Sequence, residues 1–431
     1  MYDWIASLLC LLGMALVWPF TRLIQGSWVG PGGVLVAIWV LAAGLPLVLC
    51  PSCYIIPQAY LLVLSFVVVG VLGSSLPVWG TKLRRTTKLV HRDSIVFLER
   101  AYWSFLILGC WSPILNFYKI SSVFYSFYLF EIPHEVAAAR YGGDYLAPVA
   151  VRVLDMLLFS AAIIGGLLTG LQNFGRTRVV IYSLWTIPMV VTIVLTTARV
   201  QLVIGSVFWL SGFIAGSAFQ WSDGAFRPRR ILLWTALTFW LSFLGFLAVQ
   251  SLRVGKLDLE TLAFLSSRIR TYFTGHMSAL GYWLESYMKF SDSQIGGGVY
   301  TFGGISSLLG IYDREAGVWL DFAPVSDERC TNIFTAYRGL IEDFSLMGAF
   351  VVVFAISVLG GSGWVLLRQG KPTGIAIFGV YAAYVMLAPI VSVLNWNSTT
   401  GALLIFILVV FRLKVAGDQR FQRGGRAQDA F

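Results

Sequence analysis

Read from its amino terminus, the chain alternates long apolar runs with short polar gaps. The runs fall at 5–20, 30–49, 54–76, 98–117, 149–171, 179–198, 200–219, 231–250, 345–367, 374–393 and 400–413. Roughly 20 apolar residues carry an α-helix across a hydrocarbon layer, and a helix satisfies its own backbone polar groups there. The pattern predicts an all-α polytopic membrane protein with about 11 transmembrane helices.

The gaps set the orientation. Lys82, Arg84, Arg85, Lys88 and Arg92 share one gap, Arg176 and Arg178 a second, Arg227, Arg229 and Arg230 a third, and Arg368 and Lys371 a fourth. Arg412, Lys414, Arg420, Arg423 and Arg426 end the chain. When the runs alternate in direction, all of these fall on one side, which the positive-inside rule makes the cytoplasm. The organisation expected is then transmembrane helices 1–8 in residues 1–250, an extracytoplasmic loop with amphipathic helices in 251–344, helices 9–11 in 345–413, and a cytoplasmic basic tail in 414–431. The 251–344 segment mixes both charge signs and is too long for a simple connector, which marks it as the place for chemistry.

Composition agrees. Of 431 residues, 58% are hydrophobic and 12% charged, about half the charge density of a soluble domain. The net charge of +10 therefore reports topology and lipid headgroups, and nucleic acid is excluded as a partner. The five cysteines are an odd number and do not form a complete disulfide framework. Cys50-Pro51-Ser52-Cys53 has redox spacing, but between two apolar runs it reads as small residues at a helix end. Met1-Tyr2-Asp3 lacks the basic start of a cleaved signal peptide. Gly166…Gly170 and Gly212…Gly216 suit close helix packing. Arg152 and Asp155, at i,i+3, are expected to neutralise one another.

The usual signatures of soluble enzymes are missing: no phosphate-binding loop, no zinc-protease motif, no dinucleotide fingerprint. With only His91, His134 and His276 in the chain, and His91 on the opposite side from the others, no metal site is expected. Arginine at the outer edge is the better lead. Arg199 stands between two apolar runs, and its planar fork matches phosphate oxygens. Arg268 and Arg270 flank the apolar stripe of an amphipathic helix formed by Leu262, Leu265, Ile269, Tyr272, Phe273, His276, Leu280 and Trp283. The densest constellation runs from Thr331 to Phe344. Thr331 or Asn332 suits an N-cap. Arg338 and Glu342 are spaced as a helical ion pair. Glu342 and Asp343 stand where the chain re-enters the membrane, so either is a candidate base.

At these residues the chain resembles a known family. Thr331-Asn332-Ile333-Phe334-Thr335-Ala336-Tyr337-Arg338, followed by Asp343-Phe344-Ser345 and Gly348, resembles the signature of Wzy-type polymerases, which join O-antigen and related oligosaccharide repeat units. Gly298-Val299-Tyr300-Thr301-Phe302, the Tyr272…Gly275 stretch and Arg199 add to the likeness. The family's Asp-Phe-Gly stands here as Asp343-Phe344-Ser345. Related ligases place a His before the Asn, where this chain has Thr331.

The resemblance implies a GT-C-like glycosyltransferase of the bacterial inner membrane that needs neither metal nor cofactor. It implies undecaprenyl-pyrophosphate-linked glycans as substrates, membrane lipids as surroundings and a chain-length regulator protein as partner. On that reading Arg199, Arg268, Arg270 and Arg338 hold pyrophosphate, Asp343 or Glu342 takes the acceptor proton, and Tyr272, His276, Tyr300, Thr331, Asn332 and Tyr337 position sugars. Three alternatives differ in class or detail: a metal-dependent relative using Asp258 and Glu260, an O-antigen ligase, and a lipid or solute transporter.

The topology is testable. A cysteine placed near residue 300 should react with a membrane-impermeant reagent in intact cells, and one placed in 82–92 should not; equal labelling refutes the orientation.

Overall fold

The computed structural model describes residues 2–81, 90–124, 148–172, 176–196, 200–220, 259–289, 295–311, 319 and 321–413. These are 81% helical. Seven helices among them are long and apolar enough to cross a membrane: Asp3–Gln25, Pro31–Leu49, Pro57–Ser75, Val149–Leu171, Thr177–Thr196, Val200–Gln220 and Ala336–Arg368. Pro372–Leu387 and Asn397–Phe411 are apolar but shorter. Nine of the expected runs thus correspond to apolar helices. The tenth, 231–250, lies outside the described residues, as do Arg199, Asp258 and the 414–431 tail.

The eleventh run, 98–117, does not form one unbroken helix. It divides into α4 (Arg92–Gly109) and α5 (Trp111–Phe124), after α1 (Tyr2–Gln25), α2 (Pro31–Leu49) and α3 (Pro57–Ser75). Pro113 has no N–H to return to the Gly109 carbonyl, so a continuous helix loses a bond at this junction. Next come α6 (Val149–Leu171), α7 (Arg176–Ile181), α8 (Thr186–Thr196), α9 (Val200–Gln220), α10 (Leu259–Lys289) and α11 (Val299–Leu308). An antiparallel hairpin of β1 (Ala323–Ser326) and β2 (Arg329–Thr331) follows, then α12 (Ala336–Arg368), α13 (Pro372–Leu387) and α14 (Asn397–Phe411).

Helices α6 and α9 pack backbone to backbone. A Cβ on Gly166 would strike the Trp209 carbonyl oxygen, and one on Gly212 the Ile163 carbonyl oxygen. Small residues allow this approach, and dispersion between the backbones replaces the hydrophobic effect that lipid cannot supply. At the end of the bundle that carries Arg368, buried Gln25 ties three helices together. Its Nε2 donates to Ser74 Oγ (3.0 Å) and Ser75 Oγ (3.3 Å), and its Oε1 accepts the Gly32 N–H (3.0 Å).

The opposite end holds the α2–α3 connection, the hairpin and α10. Cys50 and Cys53 form a disulfide there, Cα–Cα 5.3 Å, which corrects the expectation of unpaired helix-end residues. The bridge makes a tight corner between α2 and α3, on which Val325 of β1 packs. Tyr54 donates its N–H to the Val325 carbonyl (2.7 Å) and its hydroxyl to Asp327 (2.6 Å), while Ser278 of α10 donates to the Tyr54 carbonyl (2.6 Å).

Asp155 is buried but does not face Arg152, which is exposed. Ser112 Oγ (2.5 Å) and Gln201 Nε2 (3.1 Å) donate to its carboxylate instead. Three residues along a helix do not force contact when one side chain turns inward and the other snorkels outward.

The α6–α9 contact generates a stability prediction. Gly166→Ala should destabilise the detergent-purified protein by about 1–3 kcal/mol through overpacking. Gly13→Ala, whose new Cβ meets only the Leu64 side chain at 3.4 Å, should change little. Equal melting of the two variants would contradict the backbone contact.

Candidate functional site

The site is assembled around the first turns of α12. This helix begins at Ala336 with Thr335 as its N-cap, three or four residues later than the Asn332 or Thr331 cap expected from sequence. Thr331 belongs to β2, and its Oγ1 accepts the Ile333 N–H (3.2 Å). The Ala336 N–H reaches the Ala388 carbonyl just beyond α13 (2.8 Å), so the start of α12 is anchored to the bundle.

Two turns on, the helix breaks. Ser345 has φ 63° and ψ 172°, the one non-glycine residue with positive φ among those described. This region of backbone space is close to glycine-only, and it is the position where the resembled family has glycine. The break leaves backbone carbonyls without helical N–H partners, and a neighbouring loop supplies them. The Gly296 N–H bonds the Glu342 carbonyl (2.9 Å) and the Gly297 N–H the Asp343 carbonyl (3.2 Å). Gly297 (φ 66°) and Gly298 (φ 103°) take conformations that a side chain would oppose, and a Cβ on Gly296 would sit 2.7 Å from Asp343 Oδ1.

Asp343 completes the exchange. Its carboxylate accepts the N–H groups of Tyr300 (3.2 Å) and Thr301 (2.6 Å) at the start of α11. It is 0% exposed, so both oxygens are engaged in an enclosed setting. An anion suits the free N–H groups and positive dipole end of a helix. Asn395 Nδ2 donates to the Tyr300 carbonyl (2.7 Å) and Ser392 Oγ to the Thr301 carbonyl (2.8 Å).

One residue separates two opposite environments. Tyr337 enters the bundle and stacks between Trp39 (4.7 Å) and Phe66 (4.2 Å). Arg338 turns to the loop side, where its guanidinium carbon lies 3.8 Å from the Trp319 ring centre, 4.1 Å from Phe334 and 5.6 Å from Trp283. Its Nε donates to Glu342 Oε1 and its Nη1 to Asp321 Oδ2, each at 2.9 Å. The Arg338 side chain is 8% exposed, Glu342 18% and Asp321 58%. Trp319 also stacks on Tyr300 (4.7 Å), and its carbonyl accepts from Asn332 Nδ2 (3.3 Å).

Arg338, Glu342, Asp343, Tyr300 and Asn332 are therefore brought together, whereas Tyr337, expected to position sugar, is buried in the bundle on the other side. Others stand apart. Arg268 and Arg270 are exposed on α10, and Arg270 lies 13 residues before Trp283, about 20 Å along the helix axis. Half-buried Tyr272 and buried His276 occupy the same part of α10. The His276 ring faces the carbonyls of Ala42 and Phe273, and its Nε2 has no hydrogen-bond partner among the described residues. Burial pushes its pKa down to about 4, so the ring is neutral at neutral pH. Phe334, part of the Thr331–Arg338 motif, and Asp321 and Trp319, which the sequence did not single out, complete the Arg338 cage.

Among the described residues no group of three or more His, Cys, Asp or Glu side chains is placed to hold a metal ion. Comparison with protein-family models, with characterised proteins and with solved structures gives no match.

Asp343→Asn should destabilise the protein by about 1–3 kcal/mol, because the amide N–H₂ that replaces one oxygen would face one of the two backbone N–H donors. Ser345→Gly should stabilise it by about 1 kcal/mol by relieving the positive φ. Thermal unfolding of both variants checks this, and a melting temperature lowered by Ser345→Gly contradicts the assigned break.

Proposed function

We propose that this chain is a Wzy-type polymerase of about 11 transmembrane helices, GT-C-like, joining undecaprenyl-pyrophosphate-linked repeat units at the periplasmic face of the bacterial inner membrane. The observation that carries this reading is Arg338: an almost enclosed guanidinium, stacked on aromatic rings at one end of a membrane bundle, with its one well-exposed partner a carboxylate. Such a cation suits a phosphate ligand. The disulfide at the same end supports an oxidising side of the membrane. The basic gaps between runs support the opposite end as cytoplasmic.

In the proposed reaction an acceptor sugar hydroxyl attacks the anomeric carbon of the donor glycan. The bond from that carbon to the pyrophosphate oxygen breaks, the configuration inverts, and undecaprenyl pyrophosphate leaves. Charge develops on the departing oxygens, and Arg338 stabilises it without a metal. The acceptor proton passes to a carboxylate. Glu342 is better placed than Asp343, whose oxygens are both held by backbone N–H groups. Two lipid-linked substrates call for two anion sites; Arg268 and Arg270, far along α10 from Arg338, suit the second, with Arg199 in the same role. Tyr300, Asn332 and the Tyr272–His276 face of α10 would contact sugar.

The test is turnover of purified lipid-linked repeats by the reconstituted protein. Arg338→Ala should lower the rate on the order of a hundredfold or more, the effect of removing about 2.7–4 kcal/mol of transition-state stabilisation. Arg338→Lys should fail nearly as badly, since a point charge lacks the planar fork. Wild-type polymer from a folded Arg338→Ala protein would reject the proposal.

A further inference from the structure

Arg338 is already occupied. Its two carboxylate partners differ in kind. Glu342 is one helical turn away on the same helix, is 18% exposed, and faces the Trp283 indole N–H. It remains beside Arg338 whatever the loops do. Asp321 comes from the segment before the hairpin, is 58% exposed, and takes only Nη1. Glu342 takes Nε, which leaves the Nη1–Nη2 edge as the one on which a phosphate can make two parallel bonds. Asp321 therefore holds a two-pronged anion seat by one prong, from the solvent side.

We propose that Asp321 is a built-in competitor for the anion that Arg338 receives: a carboxylate that fills the seat when it is empty, yields to pyrophosphate, and returns as the product leaves. The inference rests on the reading of Arg338 as a pyrophosphate ligand. Three observations support it. The seat is costly to leave vacant, because an enclosed guanidinium without sufficient counter-charge is strongly destabilising. The competitor is weaker than the ligand, with one negative charge and one bond against at least two charges and a bidentate grip. The cage survives the exchange, because Trp319 is held on Tyr300 by stacking and on Asn332 by a hydrogen bond, both independent of the Asp321 carboxylate. The function of such a device is release. A seat that bound pyrophosphate with nothing to replace it would hold its product, and Asp321 supplies the replacement from 17 residues upstream.

The experiment is titration of inorganic pyrophosphate against the full-length protein in lipid nanodiscs, by calorimetry, with wild type, Asp321→Asn, Asp321→Ser and Arg338→Ala. Asp321→Asn should bind about tenfold more tightly than wild type, equivalent to about 1.4 kcal/mol, and Arg338→Ala should lose binding. Asp321→Ser, which cannot reproduce the ion pair, should follow Asp321→Asn and serves if the latter does not fold. Binding that is unchanged or weaker in both Asp321 variants, while Arg338→Ala still loses it, overturns the competitor and leaves the anion seat standing. Wild type and Arg338→Ala that bind alike overturn the pyrophosphate reading itself.

Discussion

Everything at the candidate site depends on a reciprocal exchange of backbone and carboxylate hydrogen bonds at the break in α12. The Asp343 side chain caps α11, and the glycine loop before α11 caps the broken turn that carries Asp343. Neither half is stable alone. Without the loop, two buried carbonyls lack partners; without the carboxylate, two N–H groups of α11 do. Each orphan would cost about 1–3 kcal/mol, so the elements form together or not at all. Ser345 is held in its disfavoured conformation by this mutual demand. Tyr300, fixed through its N–H and its carbonyl, passes the rigidity to Trp319 and so to Arg338.

The environment of Arg338 shows how a charge is kept in an apolar setting. Three aromatic rings cover the guanidinium, and two carboxylates divide its in-plane donors. The rings meet the cation with the negative face of their π-systems, which offsets part of the lost hydration. They also fix the plane of the fork. A lysine would lose both the stacking and the divided hydrogen bonds, and for that reason the position discriminates between the two basic residues.

The helical membrane architecture was legible because hydrophobic run length is a strong signal, and nine of the runs correspond to apolar helices. The break within run 98–117 was not legible, because apolarity alone does not show where Pro113 interrupts the hydrogen bonding. Arg338 with Glu342 was legible from helical spacing, and the importance of Asp343 from its motif. The occupation of Asp343 as a cap was not, because its partners are backbone groups 42 and 43 residues upstream. Asp321 escaped for a related reason: it meets Arg338 through the hairpin, whose strands of four and three residues are too short for any alternation to show. The Cys50–Cys53 bridge escaped because the pair lies between two apolar runs and reads as small residues at a helix end, although its spacing is visible.

The break at Ser345 also divides α12 by length. From Ser345 to Arg368 the helix rises about 35 Å, slightly more than a hydrocarbon layer of about 30 Å. Arg338 stands seven residues before the break, no more than roughly 10 Å from it along its own turns. On the proposed orientation, the guanidinium would stand near the phosphates of the outer leaflet, the depth proposed for a lipid-linked pyrophosphate. Substrate and cation would already share one plane, so the search is two-dimensional and the tail need never leave the oil.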